Sequence, residues 1–319
     1  MESCLLTGGA GFIGSHLLDS LLERGMRCVV VDNLSSGSLE NIKHWLNHPR
    51  LKFFPIDLLD FKGLLKVLRR HTCDTVFHLA ANPEVRVSSV RPQIHFQQNV
   101  VATYHLLEAI REVGGVQTFI FTSSSTVYGE AEVTPTPESY SPLMPISVYG
   151  ASKLACEALI TSYAHLYGFR AIIYRLANIV GSRSKHGVIV DFIHKLRNNP
   201  NELEILGDGT QAKSYLHVND CIEAMLLGAE KSRGKVEIFN IGSEDRVDVK
   251  TIAKLVIEEM NLKNVRLRFT GGVDGGRGWK GDVKYMLLDI NKLKSLGWTP
   301  KHNSLEAIKL AIKEILNQA

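Results

Sequence analysis

The sequence has no Cys-x-x-Cys pair, no apolar run approaching the roughly 18 to 20 residues of a membrane span, no internal repeat and no block of like charge. Its five cysteines, Cys4, Cys28, Cys73, Cys156 and Cys221, are odd in number, widely spaced and mostly set in apolar stretches. They read as buried thiols, so neither a metal nor a redox motif is expected. Lys and Arg number 37 against 33 Asp and Glu, a net charge of only +4, and they are spread along the chain. Nucleic acid is therefore not an expected partner. Met1 leads directly into a strand-like segment, so no membrane association is expected and a reducing cytoplasm fits. With 45% hydrophobic and 22% charged residues over 319 positions, the chain has material for a large core or two closely joined domains.

What the sequence does have is alternation. Short apolar runs at Cys4–Thr7, Cys28–Asp32, Lys52–Pro55, Thr75–His78, Thr118–Thr122 and Ala171–Arg175 are separated by amphipathic stretches at Phe12–Arg24, Phe61–His71, Val100–Glu112 and Val148–Tyr167. This order predicts repeated βαβ units, hence an α/β fold with a doubly wound parallel sheet of Rossmann type. After Arg175 the pattern loosens, with helices expected near Val188–Asn198, Val218–Ala229, Val249–Met260 and Ser304–Asn317 and a glycine-rich loop at Gly271–Gly281. The expected division is a dinucleotide-binding domain over 1–175, rejoined by part of 215–245, and a smaller C-terminal substrate-binding lobe over 176–319.

Gly8, Gly11 and Gly14 lie in Thr7-Gly8-Gly9-Ala10-Gly11-Phe12-Ile13-Gly14, between a predicted strand and a predicted helix. A dinucleotide's pyrophosphate needs a tight turn, close backbone approach and a helix N-terminus, and this spacing supplies all three. The second strand ends at Asp32, near the offset where a carboxylate grips the adenosine ribose and repels a 2′-phosphate. NAD is favoured, although Ser35, Ser36 and Lys43 leave NADP open. Asp57 and Leu58 after the third strand suit adenine, and the small Ala80 and Ala81 beside Leu79 after the fourth let a nicotinamide nucleotide lie against the sheet.

Tyr149 and Lys153 stand at i and i+4 near the start of a helix, on one face. A tyrosine with an ordinary pKa of about 10 is a poor base, and a neighbouring ammonium favours its phenolate. On its own that spacing is common in packed helices. It coincides here with Ser123, Ser124 and Ser125 at the carboxyl end of the fifth strand, where open α/β sheets bind ligands. For Ser123 and Ser125, turn chemistry and ligand contact stand as equal readings.

The glycine loop, Asp32, Ser-Ser-Ser-Thr-Val-Tyr-Gly at 123–129, the Tyr149–Lys153 pair and Arg175-Leu176-Ala177-Asn178 together resemble the extended short-chain dehydrogenase/reductases acting on nucleotide sugars, in particular the UDP-hexose 4-epimerases. The resemblance spans nearly the whole chain. It implies tightly held NAD, with Ser124 and Tyr149 as catalytic hydroxyls and Lys153 binding the nicotinamide ribose and tuning Tyr149. The implied cofactor contacts also take in Phe12, Ile13, Asn33, Ser35, Ser36, Gly37, Asn99 and Ser123. On the UDP-sugar side it implies Ser125, Thr126, Asn178, Val188, Ile189, Leu206, Lys213, Arg277 and Asp282, with Arg277 and Asn178 at the diphosphate or nucleoside. Many relatives have Arg at the place of Lys213, so a two-pronged clamp is replaced by a point charge; a solvated lysine and a phosphate ligand both remain open there.

The resemblance also separates reaction classes. The 4,6-dehydratases carry an acidic pair where Ser125 and Thr126 stand, and the UDP-glucuronate decarboxylases usually have Glu at the place of Thr126; neither acid is present. The expected reaction is thus epimerisation at C4 of a UDP-hexose, with another nucleotide-sugar oxidoreductase, an epimerase of N-acetylhexosamine nucleotides or a decarboxylase as alternatives and a non-catalytic NAD-binding protein behind them. Met286, toward the expected sugar end, bears on acceptance of N-acetylated sugars. A homodimer is expected through the helices Val100–Glu112 and Ser152–Tyr167, whose apolar positions fit internal core equally well.

Overall fold

Apolar residues on both faces of the first two strands call for cover on both sides, and all five positions of the first and four of the five of the second are buried. The structure, a computed structural model, describes residues 2–318. Its first half runs β1 (Ser3–Thr7), α1 (Phe12–Glu23), β2 (Arg27–Val31), β3 (Leu51–Phe54), α2 (Phe61–Arg70), β4 (Thr75–His78), α3 (Pro92–His95), α4 (Ala102–Val113), β5 (Thr118–Ser124), α5 (Val148–Tyr167) and β6 (Arg170–Leu176). Then follow β7 (Asn178–Val180), α6 (Val188–Asn198), β8 (Glu202–Ile205), β9 (Ala212–Lys213), β10 (Tyr215–His217), α7 (Val218–Lys231), β11 (Val236–Ile241), β12 (Val247–Asp248), α8 (Val249–Glu259), β13 (Arg266–Phe269), β14 (Tyr285–Met286), α9 (Asn291–Ser295) and α10 (Ser304–Asn317).

The chain divides into two units. The first comprises the segment up to Ser124 with Ala151–Arg175 and Met225–Phe239. Its framework is a seven-stranded sheet in the order β11-β6-β5-β4-β1-β2-β3. β1 pairs in parallel with β2 (Leu5 opposite Val29) and with β4 (Leu5 opposite Val76). The chain therefore winds outward from β1 to β3 and then crosses to β4 on the other side, which opens a crevice at the carboxyl ends of β1 and β4. Leu64 and Leu68 of α2, Leu106 and Ile110 of α4 and Ile160 of α5 bury their apolar stripes with Phe119, Phe121 and Ile173 of the sheet.

The second unit comprises Ser125–Gly150, Leu176–Ala224 and the chain from Asn240 onward. Ile189, Phe192 and Leu196 of α6, Ile252 and Val256 of α8 and Ile308 and Ile312 of α10 form its core with Leu203 and Ile205. Asp248 caps α8 by accepting from the Thr251 amide, and Asn303 and Glu306 form a reciprocal capping box on α10.

The main strands and helices lie where the alternation predicts them. The short strands β7–β10 and β12–β14 lie beyond the predicted set, and three further features depart from it. β11, absent from the expected strands, adds an edge to the main sheet. A 3-10 helix, Leu39–Trp45, follows β2. A π-turn, Phe96–Val101, leads without a break into α4, where the sequence suggested a helix beginning at Val100. The extra residue of a π-turn displaces the hydrophobic period by which helix starts are read.

His78, wholly buried at the end of β4, pins this framework together. Its Nδ1 lies 2.7 Å from the Thr7 hydroxyl of β1 and its Nε2 2.9 Å from the Thr103 hydroxyl of α4. Because Thr103 donates its proton to the Asn99 carbonyl at 2.6 Å, it accepts from Nε2–H, and Nδ1 accepts from Thr7. Burial, assisted by the Lys153 charge, pushes this imidazole down to about 3. The unfolded chain gains a proton here as pH falls through about 6.5 while the folded chain does not, so stability is lost from there down to about 3. Thermal unfolding measured between pH 7 and 4 should show a falling midpoint, with His78 contributing on the order of a few kcal/mol. His78→Asn should lower the neutral-pH midpoint and flatten that slope; an equally steep slope in a folded variant would remove His78 as its source.

Candidate active site

The loop between β1 and α1 is built from contacts that tolerate no side chain. Gly8 has φ +72°, and a Cβ there would stand 2.7 Å from the Ala80 nitrogen. A Cβ on Gly14 would stand 2.0 Å from the Gly8 carbonyl oxygen. The turn is closed by the Gly8 amide on the Val31 carbonyl (2.9 Å) and the Gly11 amide on the Gly8 carbonyl (3.1 Å). Gly11 is the N-cap of α1, no side chain caps that helix, and its first turn holds no acid. The first-turn amides of Phe12, Ile13 and Gly14 and the positive end of the helix are thus available to a pyrophosphate.

Asp32 follows directly on β2 and is buried, with one oxygen accepting from the Ala10 amide (2.9 Å) and the other from the Leu34 amide (2.8 Å). Burial pushes its carboxyl up, and the two amides pull it back. The Asn33 side chain donates to Asp57 at 2.8 Å, and Ser35 donates its amide to Asn33, so the loops after β2 and β3 are joined beside Asp32. Ser35 and Ser36 are exposed, Gly37 packs close to Ala10 and Asp32, and Leu58 is buried beneath. Lys43, the cation that left NADP open, is paired with Glu40. Leu79, Ala80 and Ala81 line the crevice edge, where the Leu79 amide binds the Thr7 carbonyl at 3.1 Å. These residues fit NAD: a backbone cradle for the pyrophosphate and a carboxylate for the ribose diol.

At the carboxyl end of β5 lies a buried cation. Lys153 is 3% exposed; its ammonium donates to the Thr122 carbonyl at 2.9 Å and stands 4.7 Å from the Phe121 ring centroid. Burial lowers it to about 8, against the raising influence of Cys156 and Glu157. Tyr149, half-buried, precedes it by one helical turn on α5. That helix is preceded by Ser147, whose hydroxyl accepts from the Gly150 amide at 3.0 Å. Asn99, in the π-turn, accepts from the Asn82 amide (2.9 Å) and donates to Ser152 (2.8 Å), so both ends of its amide are engaged within the protein.

The three serines have different surroundings. Ser123 is buried and donates to Glu157. Ser124 ends β5 half-buried, and Ser125 and Thr126 open the 3-10 turn Ser125–Tyr128. Glu157 is also bound by the Arg175 guanidinium, at 2.7 Å from Nη2 and 3.1 Å from Nε, with both side chains within 5% of full burial. Removing one member of such a pair leaves the other charge stranded, at about 3–5 kcal/mol. Sequence reading passed over Glu157, although it follows Lys153 at i+4 and so continues the Tyr149–Lys153 face.

In the second unit Lys213 is not a solvated surface residue. Its ammonium lies 2.6 Å from Asp282, with side-chain exposures of 19% and 4%, and 5.7 Å from the Trp279 ring. Arg277 donates through Nε and Nη2 to Glu130 (3.2 and 2.8 Å). Asn178 donates to the Ser214 carbonyl at 3.3 Å. Leu206 is half-buried after β8, and its carbonyl accepts from Gln211 at 3.0 Å. Val188 opens α6 half-buried, whereas the Ile189 side chain lies in the core, leaving only its backbone for a ligand. Met286 is buried in β14, opposite Lys213.

A dinucleotide cradle at the sheet's switch point, joined in one chain to a Tyr-x-x-x-Lys helix, marks an NAD-binding α/β enzyme of the extended short-chain dehydrogenase/reductase type. A model of the "NAD dependent epimerase/dehydratase family" matches residues 4–242, and the chain belongs to that family. It is an isomerase that uses NAD. A putative UDP-glucose 4-epimerase of Methanocaldococcus jannaschii is 34% identical over 98% of both chains. A crystal structure of a UDP-galactose 4-epimerase superposes with TM-score 0.87 at 45% identity, over 99% of each chain. The Thermus thermophilus UDP-glucose 4-epimerase, in complex with NAD, superposes with TM-score 0.87 at 31% identity, over 99% of this chain and all of that one.

Gly14→Ala should force α1 away from Gly8 at a cost of about 1–3 kcal/mol. The purified variant, denatured and analysed for released nucleotide, is expected to yield far less NAD per chain than the parent; equal NAD content would show that the loop does not hold the cofactor.

Proposed function

We propose that the chain epimerises C4 of a UDP-hexose, interconverting UDP-galactose and UDP-glucose through a transient 4-keto sugar. The observation carrying this reading is the local set of hydroxyls: Ser125 and Thr126 stand where elimination of water would need an acid and a base. NAD, when bound, supplies the reversible redox chemistry at C4. Gly8, Gly11, Gly14 and Asp32 hold it, and Lys153 reaches its nicotinamide ribose. Tyr149, its phenolate favoured by the Lys153 charge, takes the C4-hydroxyl proton and returns it, while Ser124 holds the same oxygen. Arg277, Lys213, Asn178 and Asp282 bind the UDP moiety, and Met286 bears on whether an N-acetylated hexose is accepted.

We place the enzyme in the cytoplasm as a homodimer. Tyr104 on α4 and Leu166 and Tyr167 on α5 are exposed apolar side chains, Leu166 at 72%, and support pairing through those helices. Light scattering on the purified protein is expected to give twice the 35.5 kDa chain mass; a monomer at micromolar concentration would contradict the assembly.

The reaction is tested by following UDP-galactose to UDP-glucose, and the N-acetylated pair beside it, with and without added NAD. Conversion should be independent of added NAD and fall by about 100- to 10,000-fold in Tyr149→Phe. Stoichiometric NADH release would favour the net oxidoreductase. No interconversion of any UDP-hexose, with NAD bound, would remove the epimerase reading for UDP sugars.

A further inference from the structure

Behind the Tyr149–Lys153 pair lies a buried ion pair with no evident need to be ionic. Glu157 and Arg175 are almost fully buried, and hydrophobic residues of equal size would pack there without desolvating two charges. Glu157 has two further connections. It accepts from Ser123, the residue next to Ser124, and it lies one turn beyond Lys153 on α5. Its carboxylate therefore touches the end of the strand that carries Ser124 and stands beside the helix turn that carries Lys153.

We propose that Glu157, oriented by Arg175, is a positioning residue for the reaction: it keeps the Lys153 ammonium charged inside the protein and fixes the end of β5 through Ser123. The charge argument follows from what surrounds Lys153. His78 of β4 and His95 of α3 face it, and burial favours their neutral forms, so neither compensates its charge. On α5, burial raises the Cys156 thiol, so it supplies no negative charge either. Arg175 of β6 is a second cation. Glu157 is thus the one carboxylate among these groups, and without it Lys153 and Arg175 would be two buried positive charges in one pocket.

Lys153 titrates near 8, so the basic limb of activity should lie there in the parent enzyme. Glu157→Gln keeps the shape and removes the charge, and the limb of kcat against pH should move about one unit toward acid, with KM for the UDP-hexose changed less than about twofold. Where stranding Arg175 prevents folding, Glu157→Gln with Arg175→Met removes both charges and is expected to show a smaller acid shift. The proposal rests on Tyr149 and Lys153 being the reactive pair. Tyr149→Phe that keeps full turnover would remove that reading. An inactive Tyr149→Phe, beside folded Glu157 variants that lose thermal stability but keep the parent's basic limb, would overturn this proposal alone.

Discussion

Backbone meets backbone where the strand order reverses, and the cofactor side of the molecule depends on that contact. The loop after β1 approaches the loop after β4 so closely that Gly8 has no room for a methyl group, and the start of α1 rests on the Gly8 carbonyl through Gly14. The contact brings the positive end of α1 to the mouth of the crevice, and it exists because β1 lies between β2 and β4. His78 and Thr7 brace the strands just below it. Asp32 is held by the Ala10 amide of the same loop. Cradle, Asp32 and sheet are therefore one hydrogen-bonded object.

The proposed chemistry depends on a different constraint, which is keeping a lysine charged inside a protein. Lys153 has a carbonyl, an aromatic face and the field of Glu157 in place of water. Each is weak compared with hydration, and together they hold the ammonium just inside the range where it is useful near neutrality. Arg175 and Ser123 in turn hold Glu157. The Tyr149–Lys153 pair proposed to react thus has a supporting layer contributed by β5 and β6, strands that never appear in a Tyr-x-x-x-Lys motif.

Much of this was legible in the residues. Regular alternation marked β1 to β6 and the helices between them, because strands buried on both faces are continuous apolar runs. β11 is harder to read, because Ile238 and Phe239 break the alternation of Val236-Glu237-Ile238-Phe239-Asn240-Ile241 and its burial passes from half-buried to buried along the strand. The π-turn before α4 hid the true start of that helix. At the site, glycine spacing and Asp32 were readable because one local turn holds them all, whereas Glu157 and the partners of Lys213 and Arg277 were not. Asp282 lies 69 residues from Lys213 and Glu130 lies 147 from Arg277, and no periodicity reaches so far.

Those long-range partners leave the second unit with an unusual electrical character. Lys213 is matched by Asp282, Arg277 by Glu130 and Lys284 by Asp208. These three cations each sit against an anion, so they present oriented donors whose charge is already matched. A diphosphate would not be drawn in from a distance, as it is toward an open cluster of lysines. At these three donors capture would depend on geometry at contact, and a smaller phosphate would gain little from their charge alone.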